Sequence, residues 1–442
     1  MDPESGLDGI RNIGILGGAI RAVSEAPLQG RDTVDARGLV VAPGFIDLHQ
    51  HAHDAPAYRV QALDGTTSAF ELEGGTADVT RWYADRAGRT LINHGVAVGH
   101  VPVRMAVMGD PGRSSPTGDA ARRAATPAEL ADITGRIDLG LRQGAVAVGG
   151  LLGETPGARP WEVVEVFRRA AAHAASVHVH VRELEEPQYF LETEEVIALV
   201  AATGAAAHIV HVQSSSGEDT PRVLELLRGA RARGLDVTTE AYPYAAGMTS
   251  IESASFDDWR TWPDAKFGRF EWPSTGERLT RSTFARYRGT GGLVVDHSNT
   301  EEVVRNAVAD PLVMIASDGL LENGVGHPRV AGTFARVLGR YVREARALTL
   351  MDALRKMTLE PARRLEARVA AIGNKGRIRE GADADLVIFD PERVMDRATY
   401  REPTLAPAGI LHVLVNGVVV VHHGTVDEDV FPGRPIRAAT LP

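Results

Sequence analysis

The sequence predicts an α/β fold: a (β/α)8 barrel of the TIM type with a small β-sandwich domain built from both termini. Three observations predict it. From Gly44 onward, eight apolar strand-like runs alternate with amphipathic stretches over about 270 residues, the repeat unit of such a barrel. Residues 10–43 carry short apolar runs broken by Gly and Pro (IGILGGAIRAV, then GLVVAPG), a pattern of antiparallel strands and tight turns. After Lys375 the chain returns to strands of that kind. The expected organisation is residues 1–43 as the N-terminal part of the sandwich, 44–372 as the barrel and 373–442 as the C-terminal part of the sandwich.

Taken in order, the barrel runs are FIDLHQH, TTSAFELE, VAVGHVPV, GAVAVGGLL, SVHVHV, AAHIVHV, DVTTEAY and PLVMIASDG. The stretches between them read as helices. WEVVEVFRRAAAHAA spaces its apolar residues at helical intervals, and TLMDALRKM opens with Thr349 three residues before Asp352, a start resembling a capping box. Residues 256–292 are aromatic and turn-rich with little periodicity, and are expected to pass over the barrel mouth. In the tail, ILHVLVNGVVVVHHGTV is split by Asn416-Gly417, a hairpin signal.

Composition narrows the chemistry. The chain has 442 residues, 44% hydrophobic and 24% charged, which fits a globular protein and not a disordered or fibrous one. A net charge of −10 gives no footprint for nucleic acid or an anionic membrane surface. No window approaches the roughly 20 apolar residues of a membrane span, and MDPESGLDGIRN is polar, so a soluble cytoplasmic protein is expected. Cysteine is absent, which excludes disulfides, thiolate nucleophiles and Cys-ligated metals. Any metal must sit on His and carboxylate. The three lysines are Lys266, Lys356 and Lys375, so none precedes residue 266.

The candidate chemistry gathers at strand ends. Alternation puts His49 and His51 on one face at the end of FIDLHQH, where barrel enzymes place active-site groups, and two imidazoles so spaced can share a divalent metal. His53 has the same parity but falls in the loop beyond. His178 and His180 share a face of a later strand, and His208 and His211 follow on the next. On a strand those last two face opposite ways, so at most one points inward. His180 and His211 are the candidates, because each lies nearer the C-terminal end of its strand. Asp318 closes the last run as a carboxylate after apolar residues.

The segments PGFIDLHQHAHD, IASDG followed by HPR, and EPARRL with GRIREGADADLVIFDPE resemble the amidohydrolase superfamily. HVR, YPY and SDGLLENGVGHPRVAGTFARVLGRYVRE are similar to its N-acyl-D-amino-acid deacylase branch (the D-aminoacylases), and the likeness runs from about residue 12 to 437. The resemblance implies a zinc site of one or two divalent ions. It places His49 and His51 on the first-strand pair, His180 and His211 on the fifth- and sixth-strand ligands, and Asp318 on the eighth-strand aspartate. Many superfamily members bridge two metals with a carbamylated lysine, which this chain cannot supply before Lys266. The deacylase branch uses a cysteine, and Glu73 of DGTTSAFELEGG falls on that position. A carboxylate there can bind or bridge cations, and an unpaired buried one would cost several kcal/mol, which favours metal contact; Glu71 has the same parity and is the rival. Relatives begin with a further strand pair upstream of MDPESGLDG, so an incomplete N-terminal edge is expected.

Arg182 lies two residues past His180 on the same face and can form a bidentate pair with a substrate carboxylate; by the same resemblance Arg329 and Tyr242 or Tyr244 are the other candidates to bind the substrate, and Gln213 stands where the family often has lysine. His100 is read either as orienting a ligand or as a core histidine, and His94, His173, His297, His412, His422 and His423 as structural or surface residues. The implied activity is metal-dependent hydrolysis of the amide bond of a small N-acyl amino acid, of D configuration by resemblance and with acidic side chains among the candidates. A cyclic amide or imide hydrolase, of the dihydroorotase and hydantoinase kind, is the alternative, and a non-catalytic scaffold on the same fold a more distant one. The sequence sets no oligomeric state.

Overall fold

The computed structural model describes residues 1–112, 115–182 and 189–441. Eight parallel strands form the barrel in chain order: Phe45–Asp47, Thr66–Thr76, Asn93–Gly99, Val148–Leu151, Ser176–His180, Ala206–Ile209, Val237–Ala241 and Val313–Ile315. Gln50 beyond the first strand pairs in parallel with Gly319 beyond the eighth, and the His51 amide donates to the Gly319 carbonyl at 2.9 Å. The ring thus closes at its C-terminal rim. Strands covered on both faces read as near-continuous apolar runs, which is why the sequence exposed all eight. Ile133, Ile137 and Leu141 of helix Pro127–Arg142 and Val163, Val166 and Phe167 of helix Pro160–Ala172 share one core with Val96, Val98, Val148 and Val177. Helix Leu350–Met357 starts as its capping signal predicts, with the Asp352 amide donating to Thr349 Oγ1 at 3.1 Å. Among the described residues no helix is long and apolar enough to cross a membrane.

Several barrel strands end earlier than their sequence reading, the first at Asp47 and the eighth at Ile315. The third stops at Gly99, and His100, read as strand, opens helix His100–Met108. A Cβ on Gly99 would lie 1.9 Å from the Gly74 carbonyl oxygen, so glycine lets the two chains approach where the strand turns into helix. The sixth stops at Ile209, and His211 adopts a left-handed backbone with φ 33° before the short helix Val212–Ser216.

Both termini do meet in one β-domain. Its larger sheet is antiparallel in the order Thr425–Val426, Val418–His422, Ile410–Val415, Leu386–Phe389, Val40–Pro43. The hairpin Asn12–Leu16 with Ala19–Ser24 forms the second layer; Ile20 shares an apolar cluster with Ala382, Leu386, Ile388 and Leu414. Among the described residues Asn12–Leu16 pairs on one side only. Asn416 and Gly417 form the expected two-residue turn, at φ 48° and 78°. A buried polar knot ties this domain to the barrel: Asp385 accepts from Asn93 Nδ2 at 3.0 Å, Lys375 Nζ at 2.5 Å and the Asn416 amide at 2.6 Å.

The reading of 373–442 as sandwich alone needs correction at its end. The tail leaves the sheet and runs along the N-terminal side of the barrel, where the His94 amide donates to the Arg434 carbonyl and the Ile436 amide to the His94 carbonyl. The turn-rich stretch between strands seven and eight is also more ordered than its sequence suggests. Strands Gly247–Ser250, Phe270–Trp272, Glu277–Arg278 and Leu293–Asp296 form a small antiparallel sheet over an aromatic core of Phe256, Trp262, Phe267, Phe270 and Phe284. Strands of two to four residues are too short to show a period of two.

Candidate metal centre

Glu73 is the hub of the mouth. It lies in the last third of the second strand, where pairing with the third shifts register between Glu71 and Thr76, an irregularity of the kind found beside active sites. Its Oε2 is 3.2 Å from His49 Nε2 and from His51 Nε2. Its Oε1 is 3.1 Å from His180 Nδ1 and from His211 Nε2. Within each histidine pair the facing nitrogens are 3.1 Å apart. Two donor triplets result, His49–His51–Glu73 and Glu73–His180–His211. Two imidazole nitrogens on one tetrahedral zinc, each about 2.0–2.1 Å from it, would stand about 3.3 Å apart, so the spacing fits a divalent cation on either triplet. The nitrogen and oxygen donors are of the type such a cation selects.

Asp318 completes the cluster. Its Oδ1 is 3.5 Å from His49 Nε2, 3.4 Å from His51 Nε2 and 2.8 Å from Arg329 Nη2. His211 and Asp318 (φ 50°) are both non-glycine residues in the left-handed region, a strain of about 1–3 kcal/mol each that clusters at functional sites. Burial opposes a charge on His49, but Glu73, Asp318 and Glu240 outweigh it and raise its pKa to about 10. Burial would likewise lift the Glu73 and Asp318 carboxyls; His49 and hydrogen bonds from His180 and His211 hold Glu73 well below its usual range, and Arg329 and His49 hold Asp318 down.

The five expected ligands and Asp318 therefore come together. Glu71, the rival to Glu73, stands one step out: its Oε2 is 3.0 Å from His51 Nδ1, and its Oε1 accepts from the Gly74 and Gly75 amides. Both His208 and His211 turn into the barrel, against the expectation that only one would. The strand ends between them, so strand parity no longer governs His211. Arg329 is buried at the mouth, and its guanidinium lies 4.4 Å over the Tyr242 ring. Gln213 is buried beside them and donates to the Tyr242 carbonyl at 3.2 Å.

Two expectations are corrected, and His100 takes the second of its two readings, a core histidine. Arg182 does not offer a free fork: its Nε and Nη2 bind Glu195 Oε2 and Oε1 at 2.7 and 3.0 Å, a partner brought by helix Tyr189–Thr203. The Tyr244 hydroxyl is given to Asp396 at 3.2 Å, next to Arg336 rather than to the ligands. His100 orients no ligand and instead meets Glu162 at 2.8 Å on the helices outside the barrel. Sequence reasoning also missed Glu240, whose Oε1 is 2.6 Å from His49 Nδ1. The signal was present: a carboxylate inside DVTTEAY raises the same cost of burial that singled out Glu73.

A model of the amidohydrolase family matches residues 32–421. The chain is 35% identical to the N-acyl-D-glutamate deacylase of Alcaligenes xylosoxydans xylosoxydans over 98% of this chain and 94% of that protein. It is 29% identical to the D-aminoacylase of the same organism over 92% and 90%. The crystal structure of N-acyl-D-glutamate deacylase from Bordetella bronchiseptica, complexed with zinc and a phosphonate mimic of the tetrahedral intermediate, covers 99% of this chain with 97% of its own. It gives a TM-score of 0.84 at 30% identity. With a donor set for a divalent cation at the mouth of its barrel, the chain belongs to the amidohydrolase family and is a metal-dependent amidohydrolase.

Proposed function

We propose that this chain hydrolyses the amide bond of an N-acyl-D-amino acid to a carboxylate and the free amino acid. In this reading one or two zinc ions are held by His49, His51, Glu73, His180 and His211. The observation that carries it is Glu73, with each oxygen set between two imidazole nitrogens. When bound, the metal lowers the pKa of water towards 7 and polarises the amide carbonyl. Asp318, kept ionised beside Arg329, accepts a proton from the attacking water and returns it to the leaving amine.

Arg329 supports a substrate bearing a free carboxylate. It is 1% exposed, and although Nη2 serves Asp318, its Nε and Nη1 have no hydrogen-bond partner among the described residues. Buried donors left so cost about 1–3 kcal/mol each, more for a charged group, and a substrate carboxylate would satisfy them. The Tyr242 ring beneath keeps the guanidinium in place. Gln213 puts a neutral amide next to the ligand His211, so any acidic substrate side chain would be bound without a lysine there.

The test is a panel of N-acyl-D- and N-acyl-L-amino acids, with N-acyl-D-glutamate first and a cyclic amide and imide included, assayed with added zinc and with chelator. Turnover of N-acyl-D-amino acids that depends on zinc is expected. Opening of the rings alone, or no turnover by metal-loaded protein, overturns the reading.

A further inference from the structure

The outer nitrogen of His49 is held by a chain of polar groups that runs away from the mouth into the barrel. His49 Nδ1 lies 2.6 Å from Glu240 Oε1, Glu240 Oε2 lies 3.0 Å from His208 Nε2, and His208 Nδ1 lies 2.7 Å from Thr238 Oγ1. Strand pairing delivers this chain. Thr238 and Glu240 are two residues apart on the seventh strand and so face the same side, and Thr238 is the register partner of His208 on the sixth. His49, Glu240 and His208 are at most 1% exposed, and the His178 ring packs 4.7 Å from that of His208.

Counting donors and acceptors sets the proton positions. An ionised carboxylate only accepts, so His49 presents Nδ1–H and His208 presents Nε2–H to Glu240. That leaves His208 Nδ1 to accept from the Thr238 hydroxyl. With Nδ1 committed to Glu240, Nε2 is the nitrogen that turns to Glu73 and would be left to a cation held there, the arrangement a metal ligand needs. Glu71 braces His51 differently, as a local hook tied to two glycine amides of its own turn.

We propose that Glu240 is a positioning residue of the metal centre. Backed by His208 and Thr238, it presents His49 to the cation in one orientation and one tautomer, and its charge makes that imidazole a stronger donor. The inference rests on the metal reading above.

The test compares wild-type protein with Glu240→Gln and Thr238→Val, each stripped of metal and reloaded with cobalt or zinc. Glutamine keeps the shape but turns an N–H towards one of the two imidazoles and removes the charge. In Glu240→Gln, metal affinity should fall about 10–100-fold, with kcat falling by a similar factor and KM holding within about twofold. The visible absorption of the cobalt-loaded protein should shift. Thr238→Val, at the far end, should show the same changes at less than about tenfold. A merely structural Glu240 would lower the melting temperature of the metal-free protein and leave cobalt spectrum and affinity as in wild type, and that result overturns the proposal. Wild-type protein that takes up no cation would instead overturn the metal reading, and this inference with it.

Discussion

Glu162 and Glu73 are both buried carboxylates that meet histidine, one between helices outside the barrel and the other inside its mouth. Around Glu162 the partners are complementary: His100 Nε2 lies 2.8 Å from Oε1, and Arg104 Nη1 bonds the same oxygen. Arg104 also donates from Nε and Nη2 to the Ala120 and Arg123 carbonyls. One anion and one cation balance in charge, although Glu162 Oε2 and His100 Nδ1 have no hydrogen-bond partner among the described residues. Around Glu73 the partners are alike: four imidazoles turn nitrogens towards one carboxylate and stand 3.1 Å apart in pairs. Four buried carboxylates, Glu71, Glu73, Glu240 and Asp318, stand around these imidazoles and Arg329 pairs with Asp318, so they exceed the guanidinium by three negative charges, the excess that raises the pKa of His49 and that neutral imidazoles would leave to a bound cation. One divalent cation reduces that excess to one. A buried cluster whose charges balance is structural, whereas one whose donors converge under an excess of negative charge is built for a ligand.

The most direct way to break the comparison is to remove a ligand. His180→Ala or His211→Ala should lose bound metal and at least about a thousandfold in kcat, measured by metal analysis and turnover on the same preparation, because the water is no longer activated. An active enzyme with an empty site would put both clusters in one class. Glu73→Gln follows. It keeps shape and removes the charge that compensates the cation, so affinity should drop by about a hundredfold while the fold survives, as read by chelator competition and circular dichroism. A Glu73→Gln enzyme with full metal and full rate would move the bridging role to Glu71.

How far the sequence revealed this difference depends on how local each signal was. His49 and His51 were legible from their spacing at the end of an apolar run, although the strand itself stops at Asp47, and the eight barrel strands because burial on both sides leaves continuous apolar runs. Glu73 was legible only through resemblance and the cost of a buried charge. The pairing of Arg182 with Glu195 was not legible, since it joins a strand end to a helix whose approach is set by tertiary packing. Nor was the inward turn of His211, which depends on a left-handed residue with no glycine to announce it. Glu240 was visible as a charge in a strand, but its two histidine partners lie on other strands, and only barrel closure brings them together.

The smallest expected effect separates the clusters by stability. Glu162→Gln leaves Arg104 buried without its anion, which should cost about 3 kcal/mol by chemical denaturation and leave metal content unchanged. Its pH dependence follows from the carboxyl, which burial would raise but His100 and Arg104 hold below its ordinary value of 4.5 in the folded chain. A depressed carboxyl stabilises the fold fully above its unfolded value and loses that contribution as pH falls through the folded one. The gap between wild type and Glu162→Gln should therefore be constant from about pH 6 to 8 and narrow below about pH 4.5, because glutamine does not titrate. A gap that stays constant into acid would mean that Glu162 acts through its shape and not its charge, and would remove the contrast with Glu73 from the electrostatic side.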